Sequence, residues 1–166
     1  MRETIFKGNI VTLEVEDGFW EIVRHAHAVA VLAADDDGRV LGVRQQRRAV
    51  AAETWELPAG LIDAGETPTE AAARELAEEA RLAGTLRELT RFYVSPGFTD
   101  ELVHLFVASD LHADEGHVPD AGEVVHVQWR DPLEVWQAVA EGREFTSGVT
   151  LLGLRHLLAI RGDRVA

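Results

Sequence analysis

The stretch GETPTEAAARELAEEA, residues 65–80, concentrates carboxylates where a helix would bring them together. At roughly 100° per residue, Glu75, Glu78 and Glu79 fall within an arc of about 100° on one flank, with Glu66 just upstream. Like charges at this spacing repel by about 0.2–0.5 kcal/mol per neighbouring pair. Two arrangements would offset that repulsion. One is a solvated face held by ion pairs, for which Glu70–Arg74 and Arg74–Glu78 stand four residues apart. The other is a bound divalent cation, since Mg²⁺ and Mn²⁺ prefer carboxylate and carbonyl oxygen, and Mg²⁺ is usually shared between a few carboxylates and substrate phosphates. Leu76, Ala73, Ala77 and Ala80 form a narrow apolar stripe beside the acidic flank. Small side chains there let the helix approach a sheet closely, so the carboxylates border the buried side.

That geometry requires a helix with a fixed start. Thr67 suits the N-cap, Pro68 the first helical position, and Glu70 completes a T-x-x-E capping box. Around it the chain reads mostly as strands: Thr4–Val15, Phe19–Arg24, then HAVAVLAA (27–34) and VLGVRQQ (40–46), joined by DDDGR (35–39) as a hairpin. TWELP (54–58) is a short strand leading into Ala59-Gly60. TLRELTRFYV (85–94) and ELVHLFVAS (101–109) alternate like strands, a polar loop covers 111–123, and VVHVQW (124–129) is a last strand. Two helical segments, about 132–141 and 147–161, finish the chain. Strands mixed with a few helices, without regular βαβ alternation, predict an α+β fold with a mixed sheet flanked by helices.

Composition narrows the partners. The chain has 166 residues, 46% hydrophobic and 27% charged, with a formal net charge of −13. One domain spanning 1–166 is the simplest reading. The acidic balance argues against nucleic acid or an anionic membrane as partner, and leaves open a small anionic substrate held through cations. No apolar run is long enough to cross a bilayer, and the first residues lack the apolar core of a signal peptide. The absence of cysteine excludes disulfides and thiolate chemistry and fits the cytoplasm. The seven histidines form no ligand set, and His25 and His27 read as structural.

From Gly60 the spacing runs G60-x5-E66-x7-R74-E75-L76-x-E78-E79-x-x-L82. This resembles the signature of the Nudix hydrolases, G-x5-E-x7-R-E-U-x-E-E-x-G-U, with U a bulky aliphatic residue. Arg81 stands where the family has glycine, which suggests that this helix runs on to Gly84 before ending. The resemblance implies Mg²⁺- or Mn²⁺-dependent cleavage of a nucleoside diphosphate linked to another group. It also implies Glu75 and Glu79 as metal ligands, Glu78 as a ligand or shared contact, the Ala59 carbonyl as backbone ligand, and Arg74 and Glu66 as supports for those carboxylates.

Other segments resemble the ADP-ribose pyrophosphatase branch of that family: WELPAG (55–60), SPGFTDE (95–101), VRQQRRA (43–49) and the N-terminal strands. The branch implies ADP-ribose hydrolysis to AMP and ribose 5-phosphate, and a homodimer paired through about residues 1–26, with 27–166 as the catalytic core. It implies Arg47 at the substrate phosphates or ribose, Pro96, Gly97 and Glu101 around the pocket, and Trp20 or Phe19 stacking on adenine from the partner subunit. A general base is expected in the loop holding Asp114, Glu115, Asp120 and Glu123, with Glu123 favoured and Glu78 its competitor. Other nucleoside diphosphate sugars, dinucleoside polyphosphates and oxidised nucleotides are alternative substrates, and a catalytically silent nucleotide sensor is the reading from another class.

Overall fold

A computed structural model describes residues 1–114, 116 and 126–163. Ten strands and three helices follow in order: β1 (Arg2–Lys7), β2 (Val11–Glu16), β3 (Trp20–His25), β4 (Ala28–Ala33), β5 (Val40–Arg47), β6 (Ala52–Glu56), β7 (Ala59–Leu61), α1 (Pro68–Ala80), β8 (Leu82–Tyr93), β9 (Leu102–Ala113), β10 (His126–Arg130), α2 (Pro132–Ala140) and α3 (Gly148–Arg161). They build three sheets, ordered β1-β2-β3, β10-β5-β6 and β7-β4-β9-β8.

The expected mixed sheet is the four-stranded one, in which β4 runs parallel to β9 and antiparallel to β7. Strand β4, AVAVLA, is apolar throughout because both its faces are covered. Val29, Val31 and Ala33 pack with Ala71, Ala72 and Leu76 of α1, while Ala30 and Leu32 pack with Val135 of α2 and Leu154 of α3. Helices therefore sandwich the sheet, and the separate β1-β2-β3 sheet is the extra N-terminal antiparallel layer. Leu76 is fully buried, and cutting such a side chain to alanine costs about 2–5 kcal/mol.

Several expectations need correction. The continuous strand over 4–15 is two strands, because the chain turns at Gly8, whose N–H donates to the Val11 carbonyl at 2.9 Å. The turn at 35–39 forms, with Gly38 and Asp35 bonded at 2.9 Å, but β4 and β5 do not pair as strands, and an isolated bridge joins Ala34, just past β4, to Val40. They then part into different sheets, since β4 is claimed on both edges by β7 and β9 and β5 by β6 and β10. Strand β9 extends through Ala113, into the segment expected as loop, by pairing with β8 from Leu82 onward. On α1, Ala73 is exposed, and Ala71 and Ala72 take the buried positions instead.

The helix also stops earlier than expected. Arg81 adopts the left-handed conformation at φ 57°, and its N–H bonds to the Ala77 carbonyl at 3.0 Å. An arginine thus takes the C-cap geometry that glycine accepts at less cost. No helix among the described residues is long and apolar enough to cross a membrane.

Candidate active site

The phase of α1 is set at its start. Thr67 N–H donates to Glu70 Oε2 at 2.8 Å while Glu70 N–H donates to Thr67 Oγ1 at 3.3 Å, the reciprocal capping box. Glu70 is thereby committed to the cap. Of the two expected i,i+4 ion pairs, only Arg74–Glu78 forms, at 3.1 Å. With the start fixed, Glu75 and Glu79 turn inward and are only 8% and 7% exposed. A buried carboxylate is costly unless its oxygens are engaged. Glu79 Oε2 accepts from the Ala59 N–H at 3.0 Å, which joins the helix to β7.

Arg74 organises the rest. Its Nε and Nη2 hold Glu66 at 2.9 and 3.0 Å, its Nη1 holds Glu75 at 2.6 Å and Glu78 at 3.1 Å, and Nη2 also donates to the Leu61 carbonyl at 2.9 Å. The hydrogen bonds to Glu66, foremost, hold the guanidinium well above its ordinary value, and the same contacts hold Glu66 below its own. One positive charge therefore faces three carboxylates, which leaves the site negative and suited to a hard cation. Gly60 completes the cradle. A Cβ there would overlap the Glu75 carboxylate, with even the farther oxygen, Oε2, only 2.6 Å away. Among the described residues no group of three His, Asp or Glu side chains is placed to close around an ion as the side chains stand. Arg74 sits among the carboxylates, and Glu79 is turned to β7.

Arg74, Glu75, Glu78 and Gly60 line a cleft of about 1010 Å³, ample for a nucleotide-sized ligand. Ala59, Gly60, Glu75 and Glu78 form one side. Arg47 also lines the cleft, in a two-point ion pair with Glu56 at 2.9 and 3.0 Å. Glu56 is 6% exposed and also accepts from Thr54 Oγ1 at 2.6 Å. Burial pushes its carboxyl up, but the bonds from Arg47 and Thr54 outweigh burial and hold it below the ordinary range. Ser147, at the N-cap of α3, completes this wall. It is held in place by Thr150, whose buried hydroxyl accepts the Leu57 N–H at 3.0 Å. Glu144, gripped by Arg44 and Arg130, ties the α2–α3 connection to the β5 sheet.

The remaining wall comes from Glu101, His25, Ile10, Phe92 and Val94, with His25 Nδ1 3.9 Å from Glu101 Oε1. Arg47, Ala59, Arg74, Glu75, Glu78 and Glu101 line this one cleft, whereas Glu66 and Glu79 are not among its lining residues and bond to Arg74 and to the Ala59 N–H behind it. Pro96 and Gly97 are exposed in a turn where Phe98 and Thr99 N–H groups both bond the Ser95 carbonyl at 3.1 Å; Glu101 is that segment's contribution to the cleft. Phe19 and Trp20 are exposed on the β2–β3 hairpin, ring edge to ring face at 5.1 Å, and are not among the residues lining the cleft of their own chain. Glu115, Asp120 and Glu123 lie outside the described residues.

Sequence reasoning missed Glu56, Ser147, Ile10 and His25 as cleft residues. Glu56 carried a signal, being a carboxylate set between the apolar Trp55 and Leu57. The other three carried none, because tertiary placement alone brings them there.

The sequence matches the NUDIX domain over residues 24–149. The chain belongs to the Nudix family. Among relatives, the ADP-ribose pyrophosphatase of Bacillus subtilis (strain 168) is 39% identical over 166 residues, covering 94% of this Nudix chain and 89% of its own. The methanol dehydrogenase activator of Bacillus methanolicus is 36% identical over 165 residues, covering 93% and 89%. A solved structure, the crystal structure of ADP compounds hydrolase, has a TM-score of 0.77 at 23% identity, over 99% of this chain and 95% of that one. At that identity the likeness concerns the fold.

Proposed function

We propose that this Nudix enzyme hydrolyses the pyrophosphate bond of ADP-ribose, giving AMP and ribose 5-phosphate, with Mg²⁺ or Mn²⁺ as cofactor and the cytoplasm as its location. The observation that carries this reading is the cleft itself, lined by both the acidic helix flank and the Arg47–Glu56 pair. The likeness to the Bacillus subtilis enzyme supports the choice of substrate.

Glu75, Glu78, Glu79 and the Ala59 carbonyl would hold the metal. When bound, the cation neutralises diphosphate oxygens and makes a water nucleophilic near neutral pH. Arg74 and Glu66 keep the carboxylates aligned on a rigid helix, so the site needs little reordering when substrate enters. Glu56 fixes Arg47 at the cleft by engaging its Nε and Nη2, and a guanidinium held there suits a phosphate or ribose oxygen. Glu101, which lines the cleft, contacts the ADP-ribose, while Pro96 and Gly97 shape the turn before it. Glu123 or Glu78 takes the proton from water.

Residues 1–26 form the dimerisation layer and 27–166 the catalytic core. The layer exposes Ile5, Phe6, Phe19 and Trp20, an apolar set suited to a second copy of the chain. In that homodimer Trp20 would stack on the adenine bound by the partner subunit.

Incubation with ADP-ribose in ¹⁸O-labelled water, followed by mass analysis, tests the reaction. The expected products are AMP and ribose 5-phosphate, one of them labelled. A substrate panel in which another nucleoside diphosphate sugar, a dinucleoside polyphosphate or an oxidised nucleotide gives the higher kcat/KM would overturn the assignment to ADP-ribose.

A further inference from the structure

The N-terminal sheet shares no strand with the other two, yet Ile10 and His25 reach the cleft. The connection runs through the segment before Glu101. Val23 N–H donates to the Phe98 carbonyl at 2.8 Å, Asp100 N–H returns to the Val23 carbonyl at 3.3 Å, and Val23 and Thr99 form an isolated parallel bridge. The Asp100 side chain closes this junction. Its Oδ1 accepts the His25 N–H at 3.0 Å and its Oδ2 accepts Arg24 Nη1 at 2.9 Å. Arg24 is aimed by a second carboxylate, Glu14 on β2, at 2.9 Å.

We propose that Asp100 is a positioning residue for substrate binding, locking the N-terminal sheet to the 95–101 segment so that Ile10, His25 and Glu101 stand as one wall of the cleft. His25 and Glu101 directly follow the two latched positions, and their 3.9 Å approach depends on the latch. Ile10 precedes Val11, which pairs with His25 across the β2–β3 ladder, so the same lock fixes its place.

Magnitude separates this role from a stabilising one. Arg24 and Asp100 side chains are about one-third exposed, and such ion pairs contribute little to folding. Removing the pair therefore leaves the protein folded and moves the wall. Burial pushes the Asp100 carboxyl up, but the His25 and Arg24 hydrogen bonds outweigh it and hold it below the ordinary range. The latch is charged at neutral pH.

The proposal rests on the ADP-ribose reading for its kinetic consequence, so two measurements are paired. In substrate-free protein, Asp100→Ala is expected to speed hydrogen exchange in segments 19–26 and 95–101 together; unchanged exchange, or a change confined to one segment, overturns the latch. In steady-state hydrolysis of ADP-ribose, Asp100→Ala should raise KM about tenfold and Asp100→Asn about threefold, with kcat within about twofold of wild type. Arg24→Gln added to Asp100→Asn should raise KM by less than the product of the two single effects, because both remove the Arg24–Asp100 contact even though Arg24→Gln also frees Glu14. An unchanged KM, effects that add, or a fall in kcat alone also overturns it. If the alanine variant fails to fold, the isosteric asparagine variant carries both measurements. Wild-type protein that does not hydrolyse ADP-ribose defeats the substrate assignment and leaves the exchange result to decide the latch.

Discussion

Replacing Gly60 with alanine should separate catalysis from stability. A Cβ at this position would lie 2.6 Å from Glu75 Oε2 and closer still to the other carboxylate atoms, where ordinary contact begins at 3.4 Å. Even the farther oxygen must retreat by about 0.8 Å, the difference between those distances, and the nearer one by more. The obstructing atoms are the end of a flexible side chain, so the fold can yield at a cost at the lower edge of the overpacking range, about 1 kcal/mol. Catalysis cannot yield so easily. A shift of about 1 Å in a group that orients reacting atoms costs on the order of 100-fold in rate. Gly60→Ala should therefore lower kcat for ADP-ribose roughly 100-fold while urea unfolding shows a loss of only about 1 kcal/mol. Steady-state kinetics and a urea titration on the same preparation measure both. A variant keeping more than a third of wild-type kcat would refute the placement of Glu75 at the reacting centre, and so would one whose lost activity is explained by unfolding alone.

Three further outcomes follow from the same geometry. Arg74→Gln removes the cation set among Glu66, Glu75 and Glu78; in metal-free buffer it should cost about 2–3 kcal/mol, the buried-pair figure reduced for partial exposure, and saturating Mn²⁺ should narrow the gap in urea titrations. Thr150→Val leaves the buried Leu57 N–H without its acceptor and should destabilise by about 1–3 kcal/mol, read by calorimetry. For Glu56 the folded-state value is depressed below 4.5, so its stabilising contribution is complete above 4.5 and is lost as pH falls through the lower folded value; the difference in Tm between wild type and Glu56→Gln should accordingly shrink on acidification below 4.5.

The parts of the site carried by one helix were readable before any coordinates. Thr67, Pro68 and Glu70 announced the helix start through local hydrogen bonding, and the start fixes where Glu75, Glu78 and Glu79 face. Contacts between distant segments left no comparable trace. Arg47 was a candidate, but its partnership with Glu56 depends on the β5–β6 register, in which Val43 lies opposite Glu56. The Asp100 latch joins residues 24 and 100, and nothing in SPGFTDE indicates which strand it will meet. The hairpin expectation for β4 and β5 failed for a related reason: turn chemistry specifies the reversal, whereas sheet membership is decided by the other strands competing for each edge. Arg81 shows a local rule yielding to context, since β8 begins at the next residue and the chain must leave the helix there.

The parallel ladder of β4 and β9 also bears on how the molecule comes together. Ala28 lies opposite Val103 and Ala33 opposite Ala108, so nearly half the chain must be looped out before this central pairing can form. Closing so large a loop is entropically unfavourable and makes such topologies slow to fold. Helix α1, capped by its own neighbours, can form early, while Glu101, directly before β9, joins the cleft only once the ladder has closed. Recovery of activity after dilution from denaturant should therefore lag behind the return of helical signal.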